Sequence, residues 1–216
     1  MLSFWAGGRW SAFDVRHEYT IDKPMEYRSS YGLLGSGCGQ GHPGREAMQR
    51  LSRDEVRRHV AADPQLLYAL VSDVTRTPDW SPEVIECRWL DGASGAAVGA
   101  RFVARNKRRW FTWSNTPVVE TADPGREFAI RRTERGGGSI RWRYRFEPDQ
   151  DGTMVVESYE VVRPVPRGLH VMLRVLFGVR DLQADLRSNM RSSLELIARF
   201  AEDTADHRRS TTEDEA

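Results

Sequence analysis

Between residues 84 and 162 the sequence falls into six strand-length runs, and no gap between them is long enough to hold a helix. The runs cover residues 84–90, 100–106, 110–121, 127–133, 139–147 and 153–162. They are separated by Asp91-Gly92 with Gly95 and Gly99, Lys107-Arg108-Arg109, Asp123-Pro124-Gly125, Gly136-Gly137-Gly138 and Asp151-Gly152. Parallel neighbours need a crossover of about a dozen residues or more, so successive runs are expected to pair as antiparallel hairpins in a meander. The fifth run also fixes a face. Ile140, Trp142, Tyr144 and Phe146 alternate with Arg141, Arg143, Arg145 and Glu147, which gives one apolar side and one solvated side.

On either side of these runs the period is helical. Val56, His59 and Val60 form a short polar/apolar run, and Asp63-Pro64 then supplies a helix cap and a first-turn proline. Leu66, Leu67, Leu70 and Val71 recur at helical spacing up to Asp73, and Pro78-Asp79-Trp80-Ser81-Pro82 closes that region. After Pro164 and Pro166, a stripe of Met172, Val175, Leu176, Val179, Leu182, Leu186, Met190, Leu194, Ile197 and Ala201 predicts one long helix, which Gly178 can bend. The expected fold class is α+β. A curved antiparallel sheet of six to seven strands wraps a long C-terminal helix, with two short helices after the first strand.

This domain is expected over residues 54–203. Residues 1–53 carry aromatics without either period, followed by six glycines between Gly32 and Gly44, and are expected to be disordered or loosely ordered. A natural start downstream, at Met25 or Met48, fits the same observation. Residues 204–216 read as a polar, disordered tail.

Charge and composition narrow the function classes. With a formal net charge of +1 there is no lopsided field to draw the whole molecule to nucleic acid or an acidic membrane. Thirty of the 32 basic residues are arginine, which codon bias in a GC-rich genome explains more simply than phosphate binding. The basic run Lys107-Arg108-Arg109 next to Trp110 and Phe111 reads as a solvated turn. No apolar run reaches the roughly 20 residues of a spanning helix, so no stable membrane insertion is expected, and the location is expected to be cytoplasmic. Cys38 and Cys87 form no ligand spacing and read as free thiols. His17, His42, His59, His170 and His207 show no paired spacing, so no metal is expected. Nothing resembles a nucleophile elbow, phosphate loop or dinucleotide fingerprint, and no cofactor is implied.

A strongly curved sheet covered by one helix of about 10 Å diameter leaves space between them. That space is the expected ligand site. Its candidate lining is Trp113, Phe128, Trp142, Tyr144 and Tyr159 from the strands, Trp80 near the mouth, and Met172 and Met190 from the helix. Strand alternation adds two polar candidates, Asn115 and Glu157. If the last strand keeps the phase of Val155 and Tyr159, Glu157 faces inward and can act as an acid, a base or an anchor for a ligand hydroxyl. A slip of one residue would instead turn Glu160 inward and pair Glu157 with an outward arginine such as Arg143.

The order of elements resembles the helix-grip fold of the SRPBCC superfamily, which includes START-like and polyketide cyclase/dehydrase proteins. Asp63-Pro64 with Tyr68 and Asp73, and then Thr77-Pro78-Asp79-Trp80-Ser81-Pro82, are similar to that family's two small helices. Val118-Val119-Glu120, Asp123-Pro124-Gly125-Arg126-Glu127-Phe128, Asp151-Gly152-Thr153 and Glu157-Ser158 are similar to its strands and hairpins. The resemblance covers residues 54–203 and implies a central cavity for a hydrophobic, aromatic, polyketide-like or lipid-like molecule. It carries no fixed catalytic motif, so the catalytic residues stay unknown, with Glu157 as the candidate. Binding of such a ligand is the first functional expectation. The alternative is a polyketide cyclase, aromatase or dehydratase in which Glu157, Tyr144 and Asn115 move protons or steady an enolate. A third class is an interaction protein that uses the basic hairpin or the last helix. The oligomeric state is open.

Overall fold

In the computed structural model, the described residues are 51–133, 137–164, 168, 179 and 181–214. All of them fall within one compact unit that begins at Glu46. Strand β1 (Arg53–Val60) leads into helix α1 (Pro64–Ser72), a 3-10 turn (Val74–Arg76) and the single-turn helix α2 (Thr77–Trp80). Seven strands follow: β2 (Val84–Trp89), β3 (Phe102–Arg108), β4 (Phe111–Asn115), β5 (Val118–Asp123), β6 (Glu127–Thr133), β7 (Ser139–Asp149) and β8 (Gly152–Arg163). Helix α3 (Leu182–Asp214) comes last.

The start of α1 is set by local chemistry. Asp63 holds an extended backbone, its Oδ1 accepts the Gln65 N–H at 2.7 Å, and Pro64 occupies the first turn, where it has no amide hydrogen to leave unpaired. Asp73 repeats the device for the 3-10 turn by accepting the Thr75 N–H at 3.1 Å. The buried face of α1 then carries Leu67, Tyr68, Leu70 and Val71 into the core.

The strands form two antiparallel sheets rather than one. Five pair in the order β1-β8-β7-β6-β5 and three in the order β2-β3-β4. The run expected as one strand over residues 110–121 is broken at Thr116-Pro117. Proline has no N–H for a ladder, so the chain leaves the smaller sheet there and enters the larger one as β5. The two sheets stay stitched at this corner, where the Gly99 N–H donates to Val119 O and the Val119 N–H donates to Ala100 O, each at 2.9 Å. A register shift between Val119 and Thr121 lets Val119 point into the core. Glu120 meets Arg131 and Arg141 outside.

Strand β7 has the expected alternation. Ile140 and Phe146 are buried. Arg141, Arg143 and Arg145 pair on the outer face with Glu120, Glu127 and Glu55 respectively. Helix α3 lays Met190, Leu194, Ile197, Ala198 and Ala201 against the sheets, all 1 % exposed or less. It continues to Asp214, so residues 204–214 are helical where the sequence suggested a frayed tail; no glycine or proline interrupts them. Asp54 of β1 ties the helix down by accepting from Arg187 Nε at 2.7 Å. The adjacent guanidinium holds its carboxyl below the usual aspartate range.

One glycine is required by close approach. A Cβ at Gly152 would lie 2.3 Å from Val60 O and 3.1 Å from Ala61 Cα, so the β7–β8 turn can pass under the end of β1 only without a side chain. Beside it Thr153 is fully buried and donates its hydroxyl to Ala62 O at 2.7 Å. Gly152→Ala should therefore cost about 2 kcal/mol or more, read as a lowered midpoint in urea unfolding with an unchanged slope.

Candidate functional site

A cavity of about 150 Å³, partly open to solvent, lies between the two sheets, the small helices and α3. Val71, Val74 and Trp80 close it from the α1–α2 side, while Phe102, Ala104 and Asn106 of β3 and Asn115 of β4 form one wall. Phe128 and Ile130 of β6, Trp142 and Tyr144 of β7, and Glu157 of β8 form the facing wall. Leu186, Met190 and Ser193 of α3 complete it. Most of this lining is apolar, and the volume matches that of an engineered cavity large enough for benzene.

Seven of the ten sequence candidates lie here: Trp80, Asn115, Phe128, Trp142, Tyr144, Glu157 and Met190. Trp113 does not. Its alternation with Asn115 is as expected, but it sits two residues farther out along β4 and stacks on Phe111 at 5.8 Å instead of lining the cavity. Tyr159 is also displaced from the expected role. It is 1 % exposed and packs behind the cavity in a second apolar cluster with Leu51, Ile140 and Met190, with its ring 5.5 Å from Trp142. Met172, together with Cys38 and the N-terminal 50 residues, lies outside the described residues.

The register settles the phase of the last strand. Glu157 stands opposite Tyr144 on one side and Val56 on the other, and it is 3 % exposed. Glu160 is exposed and stands opposite Arg141. Arg143 pairs with Glu127, and among the described residues no cross-strand salt bridge reaches Glu157. Its partner is the Tyr144 hydroxyl, which donates to Oε1 at 2.8 Å. Burial pushes the Glu157 carboxyl up to about 8, against the opposing pull of that hydrogen bond. Burial, reinforced by the nearby carboxylate, pushes Tyr144 well above its ordinary value. At neutral pH the pair is therefore an uncharged carboxylic acid and an uncharged phenol.

Four polar atoms in the cavity lining have no hydrogen-bond partner among the described residues and are closed off from solvent: Asn115 Nδ2 and Oδ1, Trp142 Nε1, and Glu157 Oε2. Leaving such a group unpaired costs about 1–3 kcal/mol, so four in one small apolar space is a large deviation from ordinary core chemistry. Asn106, by contrast, is satisfied by donating to Ala104 O at 3.2 Å. Cys87 also lines the cavity, but burial holds its thiol up at about 11, so it is not a nucleophile at neutral pH.

At one end of the cavity lies an ion cluster that the sequence did not reveal. Arg108 donates to Glu83 Oε1 at 3.0 Å and to both oxygens of Asp185, at 2.8 and 2.5 Å. Each of the three side chains is less than a quarter exposed. The basic turn is thus only partly solvated, because its middle arginine is drawn inward and fastens β3 to the first turn of α3. Trp110, at the hairpin tip, is 68 % exposed. Burial raises the Glu83 carboxyl, and Arg108 opposes that rise. Among the described residues no cluster of histidine, cysteine, aspartate and glutamate is arranged to hold a metal, and no helix is long and apolar enough to cross a membrane.

Two of the solved structures similar to this chain share its architecture. StfQ, a di-domain ARO/CYC from the steffimycin biosynthetic pathway, superposes with a TM-score of 0.59 at 16% identity over 72% of this chain. This chain spans about half of StfQ, 52% of its length. Ginseng major latex-like protein 151 from Panax ginseng superposes with a TM-score of 0.53 at 12% identity, covering 69% of this chain and 96% of that one. A polyketide-cyclase-like protein from Corynebacterium glutamicum is 31% identical over 72% of this chain and 94% of its own, with a TM-score of 0.46. No curated protein matches the sequence. The family model for polyketide cyclase / dehydrase and lipid transport proteins matches residues 53–199, from the first residue of β1 to the buried stretch of α3. The chain belongs to that family.

Proposed function

We propose that this protein binds a small, largely apolar ring compound in the cavity between its sheets and α3. The observation that carries this reading is the set of four shielded, unpartnered polar atoms in a mostly apolar cavity. An apolar guest displaces poorly held water, and its few polar groups recover hydrogen bonds that the protein alone leaves unmade. Drug-sized ligands occupy sites of about 300–1,000 Å³, so a cavity of about 150 Å³ takes roughly one ring unless α3 or the β3–β4 hairpin moves. Indole or toluene should raise the melting temperature of the full chain, by the amount that free ligand over Kd dictates. Ala104→Leu, which adds bulk to the cavity wall, should keep the fold and abolish that rise. An equal rise in the variant would place the binding elsewhere.

A second reading, catalysis in the same cavity, is favoured by one specific observation. A carboxyl with a pKa of about 8, hydrogen-bonded to a buried tyrosine, is suited to exchanging protons with a bound carbonyl compound near neutral pH. On this reading Glu157 is the acid–base group and Tyr144 positions it. Glu157→Gln should abolish turnover of a polyketide-like substrate while leaving its binding within a few fold, and retained turnover would exclude the role.

A further inference from the structure

The unpartnered groups also carry information about the edge of the ligand that enters the cavity. Asn115 is the last residue of β4, paired across the ladder with Ala104, so its backbone is held by the sheet. Both polar atoms of its amide are shielded and neither has a partner among the described residues. Because Oδ1 and Nδ2 share one carbon, a guest that satisfies both presents a donor and an acceptor side by side, as an N–H next to a C=O does. Reversing the amide exchanges the two positions without changing that requirement. A guest with a single hydroxyl or a single ketone would satisfy only one of the pair. Trp142 Nε1 adds a further donor on the facing wall, where Trp142 and Phe128 offer flat apolar surface to a planar ring.

We infer that the cavity recognises an uncharged planar ring with an N–H and a C=O side by side on one edge, as in a lactam, an imide or a nucleobase, and that Asn115 is the residue that reads this edge. A carboxylate guest is disfavoured, because its charge would be buried in a mostly apolar space and it brings no proton to Asn115 Oδ1. The inference rests on the proposed function, since it needs the cavity to be the ligand site.

The test uses two isomers of one size. In 2-pyridone the N–H and C=O are adjacent, and in 4-pyridone they are at opposite ends of the ring. Binding of each to the full chain is measured by calorimetry or by NMR titration, with toluene as a ring lacking polar groups. The expected result is a preference for 2-pyridone that falls by roughly tenfold in Asn115→Leu, while toluene binds the variant at least as well as the wild type. Retained toluene binding shows that the variant is folded with its cavity intact. If toluene binds but the wild type does not prefer 2-pyridone, or if the preference survives in the variant, the inference is overturned and the proposed function stands. If neither toluene nor either pyridone binds the wild type, both fall together.

Discussion

Raising the pH from about 5 to about 8 should weaken the wild-type fold relative to Glu157→Gln, by on the order of 1.4 kcal/mol per pH unit. The cause is the rise of the Glu157 carboxyl from its ordinary 4.5 to about 8 on burial. Through this window the folded protein keeps a proton on Glu157 that the unfolded chain has released. Folding therefore takes up a proton, and rising pH opposes it. Below the window both states are protonated and above it both are ionised, so the dependence ends at each side. Glutamine keeps an oxygen to accept from Tyr144 and has no charge to bury. Glu83 is also raised by burial and contributes with the same sign, but it is present in both proteins and cancels in the difference. Urea unfolding of wild type and variant at a series of pH values reads the effect directly. Parallel curves would mean that Glu157 is solvated or paired with a cation in the folded state.

The second large effect concerns Trp80, which is 2 % exposed and closes the cavity from the side of α2. Trp80→Ala should cost about 3–5 kcal/mol, because the removed indole leaves a hole that α1 and β2 can fill only in part. That hole opens onto the existing cavity, so free indole should bind the variant and restore part of the lost stability in proportion to ligand concentration over Kd. Thermal unfolding of the variant with and without indole measures both effects. Equal destabilisation without rescue would mean that the site collapses when the ring is removed, and that α2 is not a fixed wall.

How much of this was legible in the sequence depended on the kind of signal. The inner face of β7 was readable because arginines mark its outer face, and the start of α1 because Asp63-Pro64 encodes a cap chemically. The break between β4 and β5 was not read from a run rich in strand formers, although Pro117 within that run was its sign. Glu157 was ambiguous because alternation along one strand does not set its phase against the next. The phase appears only once Tyr144 is found opposite it. Trp113 shows the complementary limit, since its face was right but its distance along β4 carried it past the cavity. The Arg108–Asp185 pair spans 77 residues, and no local pattern joins positions so far apart. The bound on ligand size, too, comes only from the closed fold.

In the proposed site the buried carboxyl, the asparagine and the rings of Trp142 and Phe128 surround space that a guest can occupy. A crystal of the full chain soaked in iodobenzene tests it most directly, because iodine is located by its anomalous signal without prior assumptions. One strong iodine peak is expected inside the protein, within van der Waals contact of Trp142, Phe128 and Met190. An interior without such a peak, with the side chains of Trp80, Tyr144 and Leu186 meeting across the centre, would contradict it.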